Sequence, residues 1–246
     1  MSKVDPGNYF EDFSVGRELV HPTPRTVTEG DVAVYQGLFG SRFALQSAST
    51  VAASVGLDRA PVDDLLVFHL VFGRSVPDVS LNAIANLGYA QGRLGATVYP
   101  GDTLRATSTV TGLRETSNGK TGIVYVRTRG TNQRGELVLV YDRWVLVPKR
   151  DAGSPAPEPV VPALASGVPA ADLRVSWTPS ADYDLALAGS PHLWEDYDPG
   201  ERIDHVDGIT IEEAEHMTAC RLFQNTARVH FNQHVEKDRR FGRRIV

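Results

Sequence analysis

Thr103-Leu-Arg-Ala-Thr-Ser-Thr-Val-Thr-Gly-Leu-Arg114 alternates in the period-two manner of a half-buried strand. Asn118-Gly119 behind it is a hairpin signal, because both residues tolerate the positive φ that a tight turn between strands requires. Thr121–Thr131 then reads as the return strand, Gln133-Arg-Gly135 as a second turn, and Leu137–Val147 as the strand that closes the sheet. Upstream, Asn82–Tyr89 and Gln91–Val98 read as two further strands, with Pro100-Gly-Asp102 as a turn. Leu65–Phe72 is an apolar run between Asp63-Asp64 and Gly73; periodicity does not decide between a buried strand and a helix start. Ala44–Val55, rich in small residues and followed by Gly56, reads as a helix gripped closely by a sheet and ended by a glycine. Thr26-Val-Thr-Glu29 matches a capping box ahead of a helix over Asp31–Phe39, and Glu18–Thr23 reads as a strand. The order implies an α+β fold, helices packed on one side of an antiparallel sheet.

The 246 residues are 41% hydrophobic and 22% charged, ordinary for a globular protein, and carry a net charge of −5. That balance, without a long basic block, argues against nucleic acid as a partner. The single cysteine, Cys220, excludes an intramolecular disulfide and a thiolate metal cluster, and fits a reducing, cytoplasmic compartment. No run approaches the ~18–20 apolar residues of a membrane span. The first residues hold no apolar core of a signal peptide. Gly-rich phosphate loops and metal-ligand spacings among His205, His216, His234 and Cys220 are absent, so no cofactor and no metal are expected.

From Arg150 to Pro191 the chain is rich in Pro, Ala and Gly, the composition of an extended linker. Trp177, Tyr183 and Leu187 suggest that its second half packs back on a domain. Beyond it, Trp194-Glu-Asp-Tyr-Asp-Pro-Gly200 echoes Phe10-Glu-Asp-Phe-Ser-Val-Gly16 at an offset of 184. Without a gap, 8 of 37 aligned pairs between residues 10 and 46 are identical, against roughly two expected from ordinary residue usage. A repeat of this length indicates a duplicated domain. The expected organisation is a first copy over residues 9–150, a linker over 151–191, and the start of a second copy over 192–246. The second copy is expected to be incomplete, since residue 246 falls where copy one enters its sheet.

Within that repeat, Arg221-Leu-Phe-Gln-Asn-Thr-Ala-Arg-Val-His230 sets Asn225 five residues ahead of His230, with Arg221 and Arg228 flanking them. Thr210-Ile-Glu-Glu213 matches a capping box for the helix before it. The offset aligns Asn225 with Ser41 and His230 with Gln46, so the titratable group is confined to copy two.

These residues carry a resemblance. Val98-Tyr-Pro-Gly-Asp-Thr-Leu104 is similar to the turn and strand entry of the MaoC-like hydratases, whose hot-dog fold wraps a long antiparallel sheet around a helix. Phe10-Glu-Asp-Phe with Gly16, and its repeat, resemble that family's opening strand. Arg221–Phe231 and Asp63-Asp-Leu-Leu-Val-Phe-His69 resemble most the mesaconyl-CoA hydratase group, also called β-methylmalyl-CoA dehydratases. The resemblance implies a double hot-dog with its second copy incomplete. It also implies reversible hydration of a 2-enoyl-CoA by a histidine and an aspartate, with a backbone amide stabilising the enolate oxygen. The histidine position is His230. The aspartate position holds Asn225, which holds a water but takes no proton. Ala227 and Arg228 stand where the family's motif has Asn and Pro.

A one-base mechanism through His230 is the version that remains, imidazole having a free pKa near 6.5. Arg228 and Arg221, seven residues apart, are the candidates to clamp a substrate carboxylate. Surface arginines and a histidine on a solvated loop are the plain alternatives. His69, in its apolar run, reads as a satisfied core histidine, and Cys220 as simply buried. The implied partner is an acyl-CoA thioester, with a second copy of the chain as an option. The rival functions are a non-catalytic acyl-CoA-binding hot-dog protein and an acyl-CoA thioesterase.

Overall fold

The computed structural model describes residues 3, 5–173, 184–238 and 241–245. Its centre is a five-stranded antiparallel sheet in the order β1-β3-β4-β5-β2, formed by β1 (Glu18–Thr26), β2 (Ala85–Leu94), β3 (Thr103–Glu115), β4 (Thr121–Thr131) and β5 (Leu137–Pro148). Both hairpin turns have the expected glycine in the left-handed region, Gly119 at φ 66° and Gly135 at φ 78°. The two strands read over Asn82–Tyr89 and Gln91–Val98 are one: β2 runs through Gln91 at φ 54°, and its register with β5 shifts between Ala90 and Arg93. A bulge of this kind bends a strand without ending it.

The helix that the sheet wraps is α4 (Asp64–Ser75). The ambiguous apolar run is therefore a helix. Leu66, Val67, Leu70 and Val71 are all buried, at i, i+1, i+4 and i+5, and they pack against Leu104, Ala106, Val138 and Leu139 of the sheet. Fully burying each of these leucines contributes roughly 1.5–3 kcal/mol. Ala44–Val55, read as one helix gripped closely by a sheet, is instead two short pieces, α2 (Ala44–Ser47) and α3 (Ser49–Ser54), divided by an extended Ala48. Its side chains are too small to fill a sheet's concave face. A second core gathers Phe10, Phe13, Val110, Val124 and Val145.

α1 (Glu29–Phe39) is capped by Thr28, whose hydroxyl accepts from the Asp31 amide at 3.1 Å, so the capping box lies two residues beyond the one read at Thr26. In the same way α6 (Glu213–Leu222) is capped at Glu212, not Thr210. Phe10–Asp12, read as an opening strand, is a 3-10 turn. The Pro-rich segment is not wholly free: Val160 forms a two-way backbone bridge with Leu113, 2.8 Å each way. Leu187, in the short α5 (Leu185–Ala188), is exposed rather than packed back. Trp177 and Tyr183 lie outside the described residues.

The sequence repeat is also a repeat of conformation. Trp194–Asp196 forms the same 3-10 turn as Phe10–Asp12, and Gly16 and Gly200 have φ 84° and 85°. α7 (Arg228–Phe231) reproduces α2 at the offset of 184, with preceding residues at φ/ψ −62°/114° and −61°/111°. α8 (Gln233–Glu236) begins where the offset places the start of α3. α1 and α6 pack on each other, and the equivalent residues Phe39 and Phe223 stack at 6.0 Å and 16°. Such self-complementary contact is what a pseudo-two-fold pairing produces.

Candidate active site

A cavity of about 510 Å³ opens beside the α1/α6 pair. One wall is Phe68, His69 and Phe72 of α4 with Asn86 and Tyr89 of β2. The other is built from the second repeat, including His216, Cys220, Asn225 and His230. Gly73 makes the junction: a Cβ there would run into the backbone carbonyl of Phe223, so only glycine lets α6 end this close to α4. His69 is stacked on Phe223, centroids 4.2 Å apart at 12°.

The repeat's loop-and-helix geometry sets Asn225 and His230. The Asn225 amide caps the carbonyl of Cys220 at 2.9 Å. Its Oδ1 accepts from the Ala227 amide at 3.0 Å. That contact fixes which end of the side chain is which, leaving Nδ2 as a donor. His230, on the single turn of α7, has Nδ1 3.3 Å from the carbonyl oxygen of Ile245. A carbonyl only accepts, so Nδ1 is the donor in this contact, and Nε2 is the ring nitrogen left without a protein partner among the described residues. The cavity wall thus carries the His230 imidazole and the Asn225 amide N–H donor together.

His216 stands edge-on to His230, ring centroids 5.3 Å apart. Its Nε2 lies 3.9 Å from the Cys220 sulfur, and its Nδ1 is buried without a partner. Burial, with the nearby His230 and Arg244, holds His216 below the usual histidine range; burial also lowers His69, against a smaller opposing effect of Asp63. Both are neutral near pH 7. Burial pushes the Cys220 thiol up, so it stays protonated and is no nucleophile there.

Of the four residues singled out in the sequence, Asn225 and His230 meet on the cavity wall. Arg221 is exposed and Arg228 half-buried, and neither lines the cavity. His69, read as a core histidine, is on the wall, as is His216. Their signal was faint: His216 shares a helix face with Cys220 at i, i+4, and His69 could be placed only once Leu65–Phe72 was known to be helical. No group of three or more His, Cys, Asp or Glu side chains among the described residues could hold a metal. No described helix is long and apolar enough to cross a membrane.

Known proteins similar to this chain share one family description. A family model described as mesaconyl-CoA hydratase matches residues 2–156. A beta-methylmalyl-CoA dehydratase of Chloroflexus aurantiacus is 66% identical over 246 residues, covering 100% of this chain and 70% of its own. A mesaconyl-CoA hydratase of Cereibacter sphaeroides is 57% identical over 245 residues, 99% of this chain and 71% of its own. The crystal structure of a MaoC domain protein dehydratase from Chloroflexus aurantiacus superposes with a TM-score of 0.97 at 66% identity, over 100% of this chain and 70% of that one.

Proposed function

The chain belongs to the mesaconyl-CoA hydratase family, and from that premise we propose that it hydrates mesaconyl-CoA reversibly to β-methylmalyl-CoA, with His230 as the base. The observation that carries the reading is that His230 and Asn225 both line an acyl-sized cavity, with His230 Nδ1 turned to the Ile245 carbonyl at 3.3 Å and Nε2 the nitrogen available to act as a base.

Asn225 Nδ2 donates a hydrogen bond to the oxygen of a water and so leaves the water's own protons facing His230. His230 Nε2 takes one of them as the oxygen bonds to the β-carbon. The electron pair of the double bond moves to the α-carbon and the thioester oxygen, and the imidazolium returns the proton to the α-carbon. One group acts first as base and then as acid, which is what a site with an amide in the carboxylate position requires. His69 and His216, held neutral, place no competing positive charge beside the reacting atoms. Arg221 and Arg228, off the wall, would meet only parts of the substrate outside the cavity.

We read residues 9–150 as one hot-dog unit and residues 192–246 as belonging to its repeat, with the site built between them. Mixing the chain with mesaconyl-CoA tests the reading. Loss of the conjugated thioester absorbance without free thiol is the expected result. Release of free thiol would mean a thioesterase, and binding with no change would mean a carrier.

A further inference from the structure

The wall of the cavity carries no arginine, yet a buried cation stands directly behind it. Arg143 is fully buried, at 0% exposure. It is paired with Tyr89 across β2 and β5, so the two side chains project from the same face of the sheet. Its guanidinium carbon lies 4.6 Å from the centroid of the Phe72 ring. Nη2 donates to the Ser75 hydroxyl at 3.1 Å, while Nε and Nη1 are buried without a partner. Among the described residues no carboxylate pairs with it. Beside it Tyr141, also buried, has a hydroxyl near Ser75 and Thr128 but in hydrogen-bonding geometry with neither. The Tyr141 ring meets Phe68 at 5.1 Å and Tyr89 at 6.0 Å, and both of those line the cavity.

A guanidinium does not lose its charge by burial, and a buried charge without a counter-ion is strongly unfavourable. The unused donors of Arg143 and Tyr141 call for an anion small enough to pass Phe72 and Tyr89. Tyr89 is 46% exposed, on the edge strand just before the bulge at Gln91; its hydroxyl accepts from the Asn86 side chain and its ring packs on Phe68, Phe72 and Tyr141, so an anion reaching Arg143 has to part these contacts.

We propose that Arg143, with Tyr141, receives the free carboxylate at the far end of the acyl group and selects carboxylate-bearing acyl-CoA over plain acyl-CoA. The inference rests on the hydratase reading for the type of substrate, but its test needs no turnover. Succinyl-CoA and butyryl-CoA are saturated and cannot be hydrated, and they differ only in the distal carboxylate. Calorimetric titration of the unmodified chain should show tighter binding of succinyl-CoA. Arg143→Met should weaken succinyl-CoA roughly 100-fold or more while leaving butyryl-CoA within a few-fold. Arg143→Lys should keep part of the preference. Equal weakening of both ligands, or no preference in the unmodified chain, overturns the proposal. Should Arg143→Met fail to fold, Tyr141→Phe, which keeps the ring, decides it: a loss confined to succinyl-CoA supports the proposal and unchanged affinity overturns it. A clear succinyl-CoA preference in a chain that hydrates nothing would leave this site standing and remove the catalytic reading instead.

Discussion

Ser41–Gln46 and Asn225–His230 occupy equivalent places in the repeat, with nearly the same backbone, and their side chains are bound differently. In the first copy the polar side chains are tied into the fold. Ser41 donates to Asp63 Oδ2 at 3.0 Å, the Gln36 side chain donates to the Gln46 carbonyl at 3.2 Å, and Gln46 is buried. Asp63 itself caps α4 through the Leu65 amide at 2.8 Å. Burial, with that carboxylate adjacent, pushes Tyr35 up to about 12. In the second copy the Asn225 Oδ1 closes a local turn and His230 Nδ1 leans on a backbone carbonyl, so Asn225 Nδ2 and His230 Nε2 are left without a protein partner among the described residues. The same turn is tied into the fold where its side chains have found partners; where they have not, it is the one to which the proposed chemistry is assigned.

The sharpest way to break this contrast is to make the second site resemble the first. His230→Gln should lower the hydration rate by ~10²–10⁴, the usual worth of a general base, with acyl-CoA binding within a few-fold; turnover like the unmodified chain would end the one-base mechanism. Gly73→Ala attacks the junction that faces the two copies together. Overpacking there should cost about 1–3 kcal/mol in denaturant titration and lower activity as well, since α6 must shift away from α4. Unchanged stability would mean that the α4/α6 approach is looser than the geometry implies.

The reverse exchange is smaller in effect and more informative. Gln46→His should bring no new activity, because that position faces Asp63 and the interior, and should cost about 1–3 kcal/mol by disturbing a buried polar group. A gain in turnover would show that position, rather than surroundings, makes the site.

A pH comparison follows from the two neutral histidines of the second site. Burial lowers the folded-state values of His69 and His216 below the ordinary value near 6.5. Below about pH 6.5 the unfolded chain therefore takes up protons that the folded chain refuses. Stability is full above that pH and declines as pH falls toward the lower folded-state values. Denaturation at pH 7.5 and 5.5 should show the decline, and His69→Gln with His216→Gln should flatten it. The smallest effect is expected from Arg228→Met, which lies off the cavity wall: a few-fold change at most, equal for mesaconyl-CoA and crotonyl-CoA.

The sheet was legible because β3, β4 and β5 obey local rules, alternation along each strand and Asn118-Gly119 and Gly135 between them. β2 was split in two because a bulge at Gln91 looks locally like an end. α4 was ambiguous because a helix buried on most of its surface loses the polar face that would mark its period. The capping boxes were read two residues early in both copies, at Thr26 and at Thr210, since each position offers the right side chain at the right spacing; in the first copy Thr26 is instead the last residue of β1, and the helix begins only beyond it.

By itself the sequence determined the α+β class, the repeat at an offset of 184, and the confinement of the Asn-to-His spacing at 225 and 230 to the second copy. These rest on period, turn chemistry and self-similarity, which are properties of neighbours along the chain. Tertiary structure alone decided the rest. It chose which helix the sheet wraps, brought His69 of one repeat and His216 of the other to one cavity, kept Arg221 and Arg228 off its wall, and left Arg143 behind it without a counter-ion among the described residues. Those outcomes depend on which side chains meet across distant elements and on which polar groups are left unpartnered once they meet. No stretch of chain carries that information alone, because burial and desolvation belong to the packed molecule.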